Sequence, residues 1–393
     1  MNPLFANIPT SIFASMSALA TAHRAVNLGQ GFPDFGWPED VLACAAEALT
    51  RGSNQYAPML GLPVLREAVA DHYARHQRLA LTAEHVTITS GATEALAAAI
   101  LALVEPGDEV LLFQPVYDAY LPMVLRAGGV PRFVRLTPPD WRITAEAIDR
   151  AFTPKTRLVI FNNPHNPTAR VFSAEELDLL AEACVRHDAV ALSDEVWEHV
   201  VFDGRAHLPL AARPGMAERT VKVGSAGKIF SLTGWKVGWI VAPPALGGPI
   251  AMAHQYLAYA TPPNLQAAVA YGLGKDAAYF TGMRAAFAAA RDTLASGLGQ
   301  AGYSILEAEG TYFLPVDLAA SGIQVDDAAY CDRIVREAGV AGIPVSAFYA
   351  RDPVSSIVRL CFAKQPATLE AGIAALGRAR GLFAAPADIG TEA

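Results

Sequence analysis

The chain has 393 residues, 52% hydrophobic and 17% charged, with a formal net charge of −8. That balance excludes an intrinsically disordered chain, and the length predicts two or three domains with a large core or a large buried oligomer interface. The 30 basic residues form no run, so no nucleic-acid surface is expected, and Glu, Asp, Arg or Pro breaks every long apolar stretch before the ~18 residues that a membrane helix needs.

Residues 1–20 lack a positive region ahead of an apolar core and do not read as a signal peptide. The first 30 or so residues carry a weak pattern of their own. From about 85 to 245, short apolar runs alternate with helical patterns. HVTITS (85–90) predicts a strand, and TEALAAAILALV (93–104) a buried helix of good helix formers. After a turn at Pro106-Gly107-Asp108 come a strand at 110–113 and a helix at 117–127 despite Pro122. A strand at 158–161 follows. Ser173 with Glu176 is a capping-box signature for a helix running to His187. Further strands are predicted at 189–192, 221–224 and 237–241. Near-continuous apolar strands separated by helices predict a mostly parallel sheet covered on both faces.

Beyond the Pro/Gly-rich 243–248 segment, a helical stretch crosses 250–300 with a break at Pro262-Pro263. Strands at 310–316 and 357–362, and helices near 325–339 and 367–381, predict a smaller α+β unit. The expected division is an N-terminal segment (1–40) packing with the small domain, a large α/β domain (41–275) and a small C-terminal α+β domain (276–393). The Ala/Pro/Gly-rich tail from Phe383 is expected to fray. Cys44, Cys184, Cys331 and Cys361 are far apart and outside any C-x-x-C. They predict four ordinary buried thiols of a cytoplasmic protein rather than a disulfide framework or a zinc site, and no metal is expected.

Polar residues gather at five strand ends: 90–92, 114–117, 162–168, 193–195 and 225–228. Ligands of parallel sheets bind there, so the five clusters predict one large site. Gly91 follows a strand and opens a helix, where free N–H groups could take a phosphate; a plain turn is the alternative. GSAGK (224–228) lacks the Ser or Thr of a nucleotide-hydrolysing loop after its lysine, and no G-x-G-x-x-G follows the first strand. Lys228 is either a surface lysine or a desolvated amine able to form a Schiff base with an aldehyde cofactor. Asp194 is either a helix cap or the anionic partner of a protonated pyridine nitrogen.

Eight segments carry a resemblance: NLGQGFPDF (27–35), NQYAPMLGLPVLREAV (54–69), TSGATEAL (89–96), NNPHNPT (162–168), SDEVWEH (193–199), GSAGKIFSLTGWKVGW (224–239), HQYLAYATPPNLQ (254–266) and VRLCFAK (358–364). With them the chain resembles the fold-type I pyridoxal-phosphate aminotransferases of class I/II over about 340 residues. It is most similar to the group of kynurenine/glutamine transaminases and bacterial methionine aminotransferases. The resemblance implies a mostly parallel seven-stranded sheet sandwiched by helices, with pyridoxal 5'-phosphate as cofactor. It implies Lys228 as the cofactor-bearing lysine, Asp194 as partner of the ring nitrogen, and Asn166 as partner of the 3′-oxygen. Gly91, Ala92, Ser225 and Lys236 are implied phosphate partners, and Tyr117 the ring stacked on the cofactor. Arg359 is the implied clamp of the substrate carboxylate and Gly31 a close backbone position over the substrate. Tyr56 and Tyr259 are implied to reach the neighbouring subunit's site, which makes the expected assembly a homodimer with shared active sites.

Two departures from the family pattern matter. Trp197 stands where a tyrosine usually also bonds the 3′-oxygen, and indole offers only a donor N–H. Ala169 stands where glycine is usual, so its backbone is expected to keep φ below zero or accept strain. The expected activity moves the amino group of an uncharged L-amino acid (methionine, glutamine, an aromatic residue or kynurenine) to a 2-oxo acid. The alternatives are a cysteine-conjugate β-lyase on the same cofactor and a non-catalytic α/β binding protein. No nucleic acid or membrane is expected as a partner.

Overall fold

The computed structural model describes residues 3–383. Its strands, in chain order, are β1 (Val26–Asn27), β2 (Val86–Thr89), β3 (Glu109–Gln114), β4 (Val130–Arg135), β5 (Thr156–Asn162), β6 (Val190–Asp194), β7 (Thr220–Ser225), β8 (Gly238–Val241), β9 (Ser304–Ile305), β10 (Phe313–Asp317), β11 (Val340–Ala341), β12 (Ile343–Pro344) and β13 (Ile357–Cys361). Seven of them form one sheet in the order β2-β8-β7-β6-β5-β3-β4. Within it β8 runs antiparallel to β2 and β7, and every other pair is parallel.

Alternate residues of the central strands feed two separate cores, as the two-residue period requires. Val110, Leu112, Leu158 and Ile160 pack with Ala95, Leu96 and Ala99 of the helix Gly91–Leu103. Leu111, Phe113, Val159 and Phe161 pack with Leu177 and Leu180 of the helix Ala174–Arg186. That second helix starts with the expected capping box: Ser173 Oγ accepts the Glu176 N–H at 3.3 Å, and Glu176 Oε2 accepts the Ser173 N–H at 2.9 Å. Strand β4 was not expected from its sequence. VPRFVR is only partly buried, and Pro131 fits because an edge strand does not need every N–H.

The expected long helical stretch is three helices, Pro244–Leu257, Pro263–Leu273 and Ala277–Gln300. The first two begin at prolines, whose missing N–H would be unpaired there anyway. The helix expected at 117–127 starts only at Tyr120. The one expected near 325–339 is Asp327–Arg333 followed by a wider turn, Ile334–Ala338, that Gly339 ends at φ +76°. Beside these helices lies a second sheet in the order β12-β13-β10-β9, antiparallel at each pairing. The N-terminal segment joins this unit through the parallel pair β1–β11. The stretch Pro3–Ala22 does have the length and apolarity of a membrane-crossing helix, contrary to the sequence reading. It folds as two helices, Pro3–Asn7 and Ile12–Ala22, and Met16 and Ala20 of the second are buried in the core. The tail expected to fray lies, past Phe383, outside the described residues.

Candidate active site

A cavity of about 360 Å³ opens where the carboxyl ends of β5, β6 and β7 meet the N-terminal segment, β10 and β13. At one end is the start of the helix Gly91–Leu103. Gly91 has φ +76°, which suits glycine, and a Cβ there would lie 3.2 Å from Lys236 Cε and 3.3 Å from its Nζ. The packing is tight on the other side too: a Cβ at Gly238 would lie 2.7 Å from the Gly91 carbonyl carbon. The Lys236 ammonium therefore sits against the positive end of a helix, with Ser225 lining the same cavity. A helix N-terminus, an ammonium and a hydroxyl together suit a phosphate.

Asp194 ends β6 at the base of the cavity and is 5% exposed. Burial pushes its carboxyl up, while the Tyr120 O–H, donated to Oδ2 at 2.6 Å, pulls it back toward the charged form. Asn162 fixes the neighbouring backbone. Its Nδ2 donates to the Asp194 carbonyl at 2.9 Å, and its Oδ1 accepts the Asn166 N–H at 2.8 Å. A buried carboxylate fed only by a phenol and a backbone N–H can take a further N–H from a ligand, as a protonated pyridine would offer.

Lys228 sits in the short helix Ala226–Ile229 directly after β7. Its Nζ lies 4.6 Å from the centre of the Trp197 ring and 3.1 Å from Tyr312 Oη. Burial lowers its amine from 10.5 to about 8, so a sizeable share is neutral near physiological pH. At the far wall, the Arg359 guanidinium lies 3.8 Å from the Phe313 ring centre and is 1% exposed. It donates to Asn166 Oδ1 at 2.8 Å and to the Gly29 carbonyl at 2.9 Å, while its Nε has no partner. Burial lowers it to about 10, so it stays cationic at neutral pH. Gly31 closes the cavity above it, and a Cβ there would meet Phe313 Cζ at 2.7 Å.

Eleven of the expected residues thus line one cavity: Gly31, Gly91, Ala92, Tyr117, Asn166, Asp194, Trp197, Ser225, Lys228, Lys236 and Arg359. Tyr56 and Tyr259 do not. They form an edge-on ring pair with centres 5.7 Å apart, 87% and 44% exposed. Sequence reasoning missed Tyr120 and Tyr312, and it placed Asn162 in a strand-end cluster without giving it a role. Tyr120 lies three residues after Tyr117, the one spacing that could have flagged it. Ala169 takes the strained alternative, with φ +60°, its N–H bonded to the His165 carbonyl at 2.8 Å and no exposure.

A second polar cluster lies under the sheet. Lys222 pairs with Glu195 and with Glu198 (2.8 Å to the latter), and His207 bonds Glu195 at 2.7 Å. His72, Glu198 and His199 bring metal-ligand atoms within 4.8 Å of one another. Each atom already has a partner: the two Nε2 atoms face each other at 2.7 Å, and Glu198 accepts from Tyr73 and Gln77 as well as Lys222. The cluster as a whole is not fully paired: His72 Nδ1, Gln77 Oε1 and His207 Nδ1 have no partner, and Gln77, Glu198, His199 and His207 line a second cavity of about 500 Å³.

Fold and cavity together define a pyridoxal-phosphate-dependent transferase of fold type I, and the residues that line the cavity fit that cofactor at its phosphate, its ring nitrogen and its aldehyde. The model of the family described as aminotransferase class I and II matches residues 23–376, and the chain belongs to that family. It is 44% identical over 376 residues to the probable N-succinyldiaminopimelate aminotransferase DapC of Mycobacterium tuberculosis, covering 93% of this chain and 94% of the relative. The solved structure of the M. tuberculosis N-succinyldiaminopimelate aminotransferase aligns with TM-score 0.94 and 44% identity over 96% of this chain and 100% of the other. The methionine aminotransferase of Escherichia coli is 42% identical over 361 residues, 92% of this chain and 93% of the relative. The kynurenine–oxoglutarate transaminase of Dictyostelium discoideum is 38% identical over 401 aligned positions, 92% of each chain. The protein is accordingly an aminotransferase, and amino acids and 2-oxo acids are its substrates.

Proposed function

We propose that this aminotransferase takes L-amino acids with uncharged side chains, methionine first among them, and that the residues named above divide the work as follows. When bound, the cofactor supplies an aldehyde for amino groups and a ring that takes up the electron pair of the broken Cα–H bond. Gly91, Ala92, Ser225 and Lys236 hold its phosphate. Asp194, which accepts the Tyr120 O–H, would hold the proton on its ring nitrogen. Tyr117, Asn166 and Trp197 line the same cavity; Tyr117 would stack on the ring, and Asn166 and Trp197 would face its 3′-oxygen. Arg359 clamps the α-carboxylate of donor and acceptor in turn, for which its forked geometry is suited. Lys228 is the base that would take the proton from the substrate's Cα and give it back. Near-neutral basicity is what that shuttle needs.

The observation that carries the substrate reading is the charge inventory of the cavity. Lys228, Lys236 and Arg359 are the basic side chains lining it among the described residues, and each has a post in the scheme above. None is left for a distal carboxylate. Phe13, Phe313 and Leu96 supply apolar wall instead. An acidic donor such as an N-succinylated diamino acid would need a cation from elsewhere. The test compares kcat/KM for L-methionine, L-kynurenine, L-aspartate and N-succinyl-L,L-diaminopimelate with 2-oxo acid acceptors. At least ~10-fold preference for methionine or kynurenine is expected, the cost of one unpaired buried carboxylate. Preference for the succinylated donor overturns the reading.

The same proposal includes a homodimer, supported by Tyr56, 87% exposed and ring-paired with Tyr259, and by Tyr256, 85% exposed near the end of the helix Pro244–Leu257. Exposed aromatic residues in one patch suit an interface. It also includes the division at residues 40 and 275; the second boundary lies just ahead of Ala277–Gln300, while the first cuts the first turn of the helix Glu39–Arg51. A cytoplasmic setting is supported by four unpaired cysteines.

A further inference from the structure

The residue that faces the Lys228 amine most directly is one that neither the motifs nor the scheme above uses. Tyr312 has no exposure. Its hydroxyl donates to the Gly31 carbonyl at 2.7 Å and accepts from Lys228 Nζ at 3.1 Å. The ring stands edge-on to Trp197, centres 4.2 Å apart at 89°. Its backbone is pinned on both sides. The Phe362 N–H bonds the Tyr312 carbonyl at 3.0 Å, and the N–H of Thr311, at φ +63°, bonds the Val200 carbonyl at 2.9 Å. The hydroxyl therefore has a fixed place.

A phenol has one proton. Here the Gly31 carbonyl takes it, so only a lone pair faces the lysine. Trp197 cannot play that part, because indole is a donor only; it offers the lysine its ring face instead. The Tyr120 hydroxyl is committed to Asp194. The remaining charged or titratable groups that act on Lys228 are Cys361, Asp194, Arg359 and Lys236. None of them has a hydrogen bond to its Nζ in the structure, whereas Tyr312 does.

We propose that Tyr312 is the positioning residue for Lys228: oriented by the Gly31 carbonyl, its hydroxyl accepts one N–H of the lysine amine whenever that amine is not bonded to the cofactor, and so aims the amine's lone pair at the substrate. Fixing one N–H removes most of the rotational freedom of an amine on a four-carbon stem, and the orientation of a proton acceptor is worth orders of magnitude in rate. The link to Gly31 also ties that orientation to the segment that closes over the substrate. The inference rests on the reading of Lys228 as the proton-transferring base.

Tyr312→Phe tests it, since the ring against Trp197 is kept. The first readout uses cofactor-free protein: the pH dependence of Lys228 acylation by acetic anhydride, followed by mass spectrometry. Loss of an acceptor for the ammonium lowers the apparent pKa, by about half a unit or more. The second is the single-turnover reaction with L-methionine and its α-deuterated form. The variant is expected to slow ~10-fold or more, with KM for methionine within about two-fold of wild type and a larger deuterium effect. An unchanged acylation profile together with an unchanged deuterium effect overturns the proposal, as does a change confined to KM. If wild type shows no turnover of any amino acid, the reading of Lys228 as base fails, and the acylation profile still decides whether Tyr312 holds the amine.

Discussion

Lys228 is a cost to the fold that function requires, and the cost can be measured. Burial lowers its amine from 10.5 to about 8. At about 1.4 kcal/mol per pH unit, that is about 3 kcal/mol against the folded state at pH values below about 8. The amine faces an open cavity, so water returns part of the loss, leaving about 2–3 kcal/mol. Lys228→Met keeps the stem and removes the charge. In cofactor-free protein at pH 7, the variant should be more stable by that amount, read from urea unfolding at constant m. The sign of the pH dependence is fixed. The folded pKa lies below the unfolded one, so the unfolded chain binds more protons between pH 8 and 10.5, and wild type regains stability as pH rises through that window. The gain from Lys228→Met should therefore shrink to less than half by pH 9.5. A variant that is less stable than wild type at pH 7, or a gain that does not change with pH, would refute the reasoning.

Three further outcomes follow from the same geometry. Tyr120→Phe removes the donor to Asp194 Oδ2, so the Asp194 carboxyl should rise and hold the ring nitrogen less well; cofactor affinity, measured by fluorescence titration of the apoprotein, should weaken by about ten-fold. Gly91→Ala places a methyl about 3 Å from the Lys236 side chain at φ +76°, so it should weaken cofactor binding by roughly 1–3 kcal/mol while leaving the apoprotein folded, which circular dichroism and the same titration check together. Burial pushes Glu195 up, but Lys222 and His207 outweigh it and hold it at about 2, so the stability it lends is complete above pH 4.5 and lost as pH falls toward 2. Lys222→Met leaves Glu195 and Glu198 buried without their cation and should cost about 3–5 kcal/mol at pH 7, with the gap narrowing below pH 5 in urea unfolding.

The parts of the fold that were legible in the sequence are those where one local signal settles the matter. The runs Leu158–Phe161 of β5 and Val190–Leu192 of β6 are wholly apolar because both faces of the sheet are covered. Ser173 and Glu176 announce their helix by a pair of hydrogen bonds that any capping box makes. β4 was not legible, because a partly buried edge strand with a proline has neither an apolar run nor a clean alternation. The site divides in the same way. Gly91, Asp194 and Lys228 stand at strand ends where ligands of such sheets bind, and the motif resemblance assigned them roles. Tyr312 and Tyr120 act through contacts made by folding. Tyr312 meets Lys228 from 84 positions away, and Tyr120 meets Asp194 from 74 positions away. A single sequence carries no signal for such pairs. Tyr56 and Tyr259 show the converse: motif resemblance assigned them to the neighbouring subunit's site, and in one chain they stand exposed and apart from the cavity.

The central claim is that Lys228 and its cavity carry out both halves of an amino transfer. The most direct measurement is the visible absorbance of the cofactor-loaded protein during addition of L-methionine and then of a 2-oxo acid, with Lys228→Ala alongside. The account predicts a visible band that collapses with methionine, returns with the 2-oxo acid, and does neither in the variant at a comparable rate. A wild-type protein that acquires no such band when supplied with pyridoxal phosphate, or a Lys228→Ala protein that cycles as fast as wild type, would contradict it.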